Sequence, residues 1–423
     1  MFHIFGYGSS KNLFIPLTMR ITTLILGFIV ILLSSCGNQN NEKNNKNDHH
    51  RFDENNFDDS YKTYFLDFEQ NVNNMKEDTF TINSIAKNIT FIPLETSDTV
   101  LLYNDRIKIE RNNDRYLISS SSFFSAFHSI MLFDSTGRFI DYLLQKGQGP
   151  YELSYISEWS FNRNTQLLVS STSFQIILQK LEDKVSNKYT LDGYISDICL
   201  LNDGTIVGLP NMIGKGNTDT PYLHFFNQEG LIIHSFYYPQ KRDIAYSIPE
   251  GRVPSHVEKY NLFQSYSGDV LFKDMFNDTI YRIRSMDDVK PYIILYKGSF
   301  TPTLKDIDNP TTGSQKVCLV HILDTQKYFF IRYTYRGDLY NSIWDKQTVT
   351  LMANTKFPTH LSRLQYFFNG MTKYRTPTGI EIFIQISSYC DGKLYCVLNA
   401  EQAMEFLPDI DELDNPVLMI IDI

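Results

Sequence analysis

Residues 132–140 read Leu132-Phe133-Asp134-Ser135-Thr136-Gly137-Arg138-Phe139-Ile140, and residues 225–233 read Phe225-Phe226-Asn227-Gln228-Glu229-Gly230-Leu231-Ile232-Ile233. Each stretch is a strand, a four-residue turn and a second strand. The two glycines stand 93 residues apart, close to twice 46.5. A second pair, Asp203-Gly204-Thr205-Ile206 and Asp391-Gly392-Lys393-Leu394, recurs at a separation of 188, or four times 47. A period near 47 residues lies in the range of four-stranded propeller blades.

The rest of the chain agrees with that reading. From about Tyr61 it consists of short apolar or alternating runs, such as Ile130–Phe133, Ile198–Leu201, Val270–Phe272, Tyr328–Tyr333 and Leu394–Leu398. Glycine-containing turns separate them, so the expected class is all-β. Helical periodicity is scarce; the best stretch is Ala400–Leu407, with Asn399 as N-cap and Pro408 just beyond its end. The 423 residues exceed an ordinary single domain of ~100–200 residues but suit one large β architecture. Phe 31, Tyr 27 and Trp 2 give an aromatic share of 14%, and aromatics favour strands. Most are expected in the core between blades, with Tyr237-Tyr238-Pro239 and Tyr260–Tyr266 the exposed exceptions.

A set of segments in fixed order is more specific than any one of them. These are Ile89-Thr90-Phe91-Ile92-Pro93-Leu94-Glu95-Thr96, then Phe133-Asp134 through Gly137-Arg138-Phe139-Ile140, then Lys146-Gly147-Gln148-Gly149-Pro150-Tyr151-Glu152. Phe276-Asn277-Asp278-Thr279-Ile280-Tyr281 and Asp414-Asn415-Pro416-Val417-Leu418-Met419-Ile420 follow. Together they resemble the six-bladed β-propeller lipoproteins of Bacteroidetes-type bacteria, over roughly residues 61–423. One departure is Tyr151, where that family usually has a glycine after Gly-Pro, and it bears on the local turn. The resemblance implies six blades, whereas a 47-residue period divides residues 85–423 into about seven. Six is the expectation, with seven as the alternative, and Gln240–Val257 and Pro302–Gln315 then become insertions. Asn88–Leu94 is the natural strand to close the last blade and hide its free edge.

Upstream of the β region, Met19 and Arg20 precede an apolar run from Ile21 to Leu33, followed by Ser34, Ser35 and Cys36. Thirteen residues span only about 20 Å as a helix, too short for a bilayer core of ~30 Å, and match the h-region of a secretory signal. Leu33-Ser34-Ser35-Cys36 resembles the lipobox of bacterial lipoproteins, which makes Cys36 the expected lipid attachment site. Residues 1–35 are accordingly read as a leader, with Met19 an alternative start. Residues 36–60, Asn-rich and poor in large apolar groups, are read as a disordered tether, and residues 61–423 as the propeller. Acyl chains at ~0.8 kcal/mol per buried CH₂ would hold the protein on a membrane. The expected location is the cell envelope, on the outer membrane, at either its periplasmic or its surface side.

No motif assigns a catalytic residue, a metal or a cofactor. Gly147-Gln148-Gly149 completes neither phosphate-loop pattern and reads as a turn fixed by Pro150. Asp306–Asn309 and Asp409–Glu412 lack the glycine and glutamate of a calcium loop. HExxH and GxSxG are absent. Cys199, Cys318, Cys390 and Cys396 read as separate core thiols, since a turn at Asp391-Gly392 sets Cys390 opposite Lys393 rather than Cys396. No two histidines share a strand face, so an acid–base or metal site would have to be assembled from several blades. Lys and Arg total 39 against 48 Asp and Glu, for a net charge of −9, which argues against nucleic acid. The functional expectation is a binding or interaction module for a glycan, peptide or protein. The alternatives are an envelope hydrolase or lyase with its site at the channel mouth, and a structural subunit of a larger complex.

Overall fold

A computed structural model of the chain describes residues 62–73, 79–103, 106–121, 126–182, 185–191, 194–210, 221–237, 261–274, 277–303, 306, 309–357 and 371–423. The expected leader, Cys36, the tether, Tyr238–Pro239, the whole 240–257 insertion and Tyr260 lie outside the described residues.

Two strands, β1 (Tyr64–Asp67) and β2 (Asn88–Pro93), precede six sheets in chain order. Blade 1 contains β3 (Arg106–Asn112), β4 (Arg115–Ser121), β5 (Ser129–Phe133) and β6 (Phe139–Gln145). Blade 2 contains β7 (Glu158–Asn162), β8 (Leu167–Ser171), β9 (Gln175–Lys180) and β10 (Val185–Thr190). Blade 3 contains β11 (Ile195–Leu200), β12 (Ile206–Pro210), β13 (Leu223–Phe226) and β14 (Ile232–Phe236). Blade 4 contains β15 (Asn261–Gln264), β16 (Val270–Lys273), β17 (Thr279–Ser285) and β18 (Asp288–Tyr296). Blade 5 contains β19 (Cys318–Asp324), β20 (Tyr328–Tyr335), β21 (Asp338–Asp345) and β22 (Thr350–Lys356). Blade 6 contains β24 (Glu381–Cys390), β25 (Lys393–Leu398), β26 (Val417–Asp422) and the early strand β2, with β23 (Met371–Arg375) paired to the start of β24. Within each blade these strands form an antiparallel meander, and the six blades make a propeller.

The closing strand is β2, which pairs antiparallel along all of β26. The long β24 divides its partners: residues 381–385 pair with β23, and residues 385–390 pair with β25. The second half of β24 with β25, β26 and β2 therefore forms the four-stranded sixth blade, and β23 is an added hairpin arm. Ser387 in that half accepts from the Ile109 N–H at 2.8 Å and donates to the Ile107 carbonyl at 3.2 Å, which joins the last blade to the first.

The segments that carry the family resemblance meet at this closure. Asn415 accepts from the Leu102 N–H at 2.8 Å and donates to the carbonyls of Glu95 and Val100, both at 2.7 Å. The Glu95 carboxylate accepts from the Phe139 N–H at 3.0 Å. Gly137 has φ +86°, and a Cβ there would stand 2.1 Å from the Pro93 carbonyl oxygen, so only glycine fits this turn. These residues hold the ring shut.

Six blades, rather than seven, follow from how the repeats are spaced. Gly137 and Gly230 sit in the turns joining the third and fourth strands of blades 1 and 3, so 93 residues do span two blades. Gly204 and Gly392 sit in the first turns of blades 3 and 6, three blades apart and not four. The extra length lies in the connections after β14, β18 and β22.

Between blades the core is aromatic and aliphatic. Tyr64 packs edge-on against Tyr292 and Phe329, while Phe68 meets Tyr333 and Trp344. Here β1, paired in parallel to the outer strand β18, and the short helix Phe68–Asn73 strap the seam between blades 4 and 5. The helix expected at Ala400–Leu407 is confined to Ala400–Ala403, capped by the Asn399 side chain accepting from the Gln402 N–H. Among the exposed stretch expected at 260–266, Leu262 and Phe263 are buried and Tyr266 is half-buried, because β15 is an inner strand; Tyr237 is exposed. The Lys146–Glu152 turn closes with the Glu152 carboxylate accepting from the Gly149 N–H at 2.7 Å, and Tyr151 points into solvent without a left-handed backbone. Cys390 pairs with Lys393, and Cys199, Cys318, Cys390 and Cys396 are free and buried.

Candidate functional site

The first strand of each of blades 1 to 5, with β24 in blade 6, lines the propeller axis. Side chain to backbone bonds stitch these inner strands to one another. Lys108 on β3 donates to the Trp159 carbonyl on β7, and the Ser160 hydroxyl on β7 accepts from the Leu200 N–H on β11 at 3.1 Å. Asp197 on β11 accepts from the Leu262 N–H on β15 at 3.0 Å. Ser265, just after β15, donates to Asp324 on β19 at 2.6 Å. Partner positions advance together along these strands, so neighbouring inner strands run in the same direction and their starts share one end of the channel.

Alternation decides which side chains reach the axis. In β3, Ile107 and Ile109 are buried in the seam with blade 6, which leaves Arg106, Lys108 and Glu110 on the opposite face. In β7, Trp159 and Phe161 fill the seam with blade 1, leaving Glu158 and Ser160 on the other side. In β11, Ile198 and Leu200 fill the seam with blade 2, and Asp197 lies opposite. At the starts of the inner strands, Arg106 pairs with Glu158, and the Lys108 ammonium lies 4.9 Å from the centre of the Trp159 ring. Deeper in, Ser160 on β7 reaches Gln264 on β15 at 3.4 Å across two blades, which narrows the channel.

The electrostatics of this mouth are unusual. Asp197 is pushed up to about 7, chiefly by burial and then by the negative Glu158; the Leu262 and Ile198 N–H groups and Lys108 oppose the shift. Near neutral pH the Asp197 carboxyl is therefore partly protonated, able to donate as well as accept. Burial raises Glu110 against the pull of Arg163 and Lys108. His321, on β19, is held well below its usual range by burial and by the cations Arg332 and Lys108, so its imidazole is neutral. Its Nδ1 is buried with no hydrogen-bond partner among the described residues, and its ring meets Phe263 edge-on at 5.0 Å. Burial, followed by Asp197, raises the Cys199 thiol, which keeps it protonated and unreactive. Arg106, Lys108, Glu158 and Asp197 thus form a compact set of donors and acceptors in a half-buried channel mouth, with His321 also in reach of the Lys108 charge.

Sequence reasoning anticipated a site at the channel mouth but named none of these residues. They come from three successive blades, on strands about 40–50 residues apart, and the packing of inner strand on inner strand makes them neighbours. One local signal was readable: Arg106-Ile107-Lys108-Ile109-Glu110 alternates charge and aliphatic residue, as an inner strand with one wet face would. Among the histidines expected to act separately, His224 and His234 do lie on different faces, and His224 Nδ1 is engaged by Ser235 at 2.8 Å. Among the described residues no group of three or more His, Cys, Asp and Glu could hold a metal ion.

The fold has solved relatives. A crystal structure of a protein described as exported, from Bacteroides fragilis, superposes with a TM-score of 0.58 at 17% identity, covering 82% of this chain and 98% of that one. A member of the DUF4221 family from Bacteroides vulgatus gives a TM-score of 0.48 at 10% identity, covering 80% and 96%. The virginiamycin B lyase of Staphylococcus aureus gives 0.40 at 12%, covering 78% and 98%. The first likeness shows the fold, and the other two are too loose to bear on activity. A search of curated proteins found no match. The family model described as "Domain of unknown function (DUF4934)" matches residues 63–422, nearly the whole propeller, and the chain belongs to that family.

Proposed function

We propose that this protein is an exported, lipid-anchored propeller that binds a ligand at its channel mouth, acting as a binding module at the bacterial cell envelope. The observation that carries the ligand site is the convergence of Arg106, Lys108, Glu158 and Asp197 from three blades at one end of the axis. Mixed donors and acceptors in a partly desolvated mouth suit a glycan or peptide, which offers both hydroxyl or amide groups and carbonyls. Export and anchoring are supported by the apolar run Ile21–Leu33 and the Leu33–Cys36 pattern; the Bacteroides fragilis protein of the same fold is also described as exported. Binding of the full-length protein to arrays of envelope glycans and peptides tests the site. A saturable ligand should lose at least about tenfold in affinity in Lys108→Met and in Asp197→Asn, with the melting temperature nearly unchanged. A ligand held equally well by both variants would contradict the site. For the anchor, Cys36→Ser should abolish acyl labelling and release the protein from membranes; unchanged retention would refute it.

A second reading, an envelope hydrolase or lyase, is favoured by one observation: a carboxyl near pH 7 is poised for general acid–base work. It predicts turnover whose pH profile breaks near 7 and vanishes in Asp197→Asn. Saturable binding without turnover of the bound ligand would exclude it.

A further inference from the structure

The mouth end of blades 1 to 3 carries aromatic side chains that the core leaves exposed. Phe174, in the turn after β8, and Tyr194, just before β11, are 54% and 41% exposed. Their rings nonetheless pack edge to face, with centres 5.2 Å apart and planes at 86°. Backbone bonds seat this corner beside the polar set: the Ile195 N–H donates to the Ser173 carbonyl at 2.9 Å, and the Leu191 N–H to the Phe174 carbonyl at 2.8 Å. Asp197 follows two residues after Ile195, and Ser171, three residues before Phe174, pairs with Glu158. On the blade 1 side Tyr103, 48% exposed, stands three residues before Arg106, with the centre of the His128 ring 5.5 Å away. Flat rings therefore occur on both the blade 1 side and the blade 3 side of the Arg106–Glu158 pair.

Three features narrow what this end can hold. Single exposed apolar side chains are ordinary, whereas rings that pack on one another and stay exposed beside a polar cleft mark a ligand surface. Phe174 and Tyr194 hold each other, so that surface is ordered before any ligand arrives. The charges are matched: Arg106 pairs with Glu158, and Lys108 acts on Asp197 with the opposite sign. Together with a net charge of −9 on the chain, this argues against a polyanion. The backbone near the rings is already engaged, since the Phe127, Leu191 and Ile195 N–H groups all donate to carbonyls. An extended peptide would not find there the main-chain partners that give such ligands their affinity.

We infer that the mouth takes an uncharged oligosaccharide, whose C–H faces lie on Phe174, Tyr194 and Tyr103 while its hydroxyls bond the polar set. A sugar ring is apolar on its faces and both donor and acceptor at its edge, which matches flat rings beside mixed donors and acceptors. The inference rests on the channel mouth being the ligand site, and it adds the class of ligand and the three rings.

The test is affinity electrophoresis of the full-length protein through gels containing uncharged polysaccharides (β-glucan, xylan, mannan, starch) or charged ones (polygalacturonate, heparin), followed by calorimetry on the matching oligosaccharides. At least one uncharged glycan should bind saturably. Phe174→Leu, which keeps apolar bulk but loses the flat face, should weaken it at least about fivefold, and Tyr194→Phe should leave it within about twofold. Melting temperatures should stay unchanged, because both side chains are exposed. Failure of every uncharged glycan to bind, binding confined to the charged ones, or equal affinity in Phe174→Leu would overturn the inference. So would a proline-rich peptide that binds in their place and is lost in Phe174→Leu. Lys108→Met separates the rings from the mouth. A glycan weakened by Lys108→Met and not by Phe174→Leu keeps the mouth and removes the rings. One weakened by Phe174→Leu alone keeps the rings and overturns the polar set, and one weakened by neither removes both.

Discussion

Asp324 and Asp197 both lie on inner strands, two blades apart, and they illustrate two uses of a buried carboxylate. Asp324 is fully buried, and its oxygens are occupied by Lys346 at 2.6 Å, Ser265 at 2.6 Å and Tyr292 at 3.2 Å, with Arg282 at 3.9 Å. Lys346 is enclosed in turn, 4.4 Å from the centre of the Phe329 ring and 4.5 Å from that of Tyr266. Asp197 accepts from the backbone N–H groups of Leu262 and Ile198, and it faces Glu158 in a half-buried channel. The first carboxylate is saturated and belongs to the architecture. The second is partly protonated near neutral pH. Satisfaction of hydrogen bonds, more than burial or charge, separates the structural seam from the candidate site.

That contrast can be broken by substitution. The largest loss of stability is expected at Asp324→Ala, about 3–5 kcal/mol by chemical denaturation, because the buried Lys346 would lose the carboxylate 2.6 Å from its ammonium. A loss below 1 kcal/mol would show that the seam is not held by this network. Asn415→Ala should cost about 2–4 kcal/mol, since three backbone groups of the closing segment lose their partner in a buried place. Trp159→Phe should cost about 1 kcal/mol, through the lost indole bond to Ser119 at 2.7 Å.

Asp197 predicts a change of pH dependence. Its folded value, about 7, lies above the ordinary 3.8 of an aspartate, so between the two the folded state holds a proton that the unfolded state releases. This contribution to stability is fully present below about pH 4 and is lost as pH rises toward 7. Asp197→Asn should therefore flatten the fall in stability across that window, measured as denaturation midpoint against pH. An unchanged slope would contradict the shifted carboxyl. The smallest stability effect belongs to Lys108→Met, expected within about 1 kcal/mol because the half-buried side chain keeps its apolar stem packed on Trp159. Its consequence should appear in ligand affinity instead.

The sequence revealed the architecture more readily than the site for a physical reason. Turns such as Asp134–Gly137 and hairpins such as Cys390–Lys393 are set by residues adjacent in the chain, so local chemistry displays them. Closure by β2 was visible because the first and last strands each carry a strong β pattern with a free edge to satisfy. The spacing from Gly204 to Gly392 suggested one blade too many, since long connections look the same as blades when only turns are compared. The strap formed by β1 and Phe68–Asn73 was missed, because its few apolar residues gain meaning only against blades 4 and 5. Arg106, Glu158 and Asp197 were invisible as a group, since nothing local to any one of them specifies the others.

A structure of the full-length protein with the ligand recovered from the glycan and peptide arrays would be the most direct measurement. Ligand atoms should lie within hydrogen-bond distance of Lys108 and Asp197, at the starts of β3, β7 and β11. A ligand seated on the outer edge strands, with the channel mouth unchanged, would contradict the assignment of the mouth as the binding site.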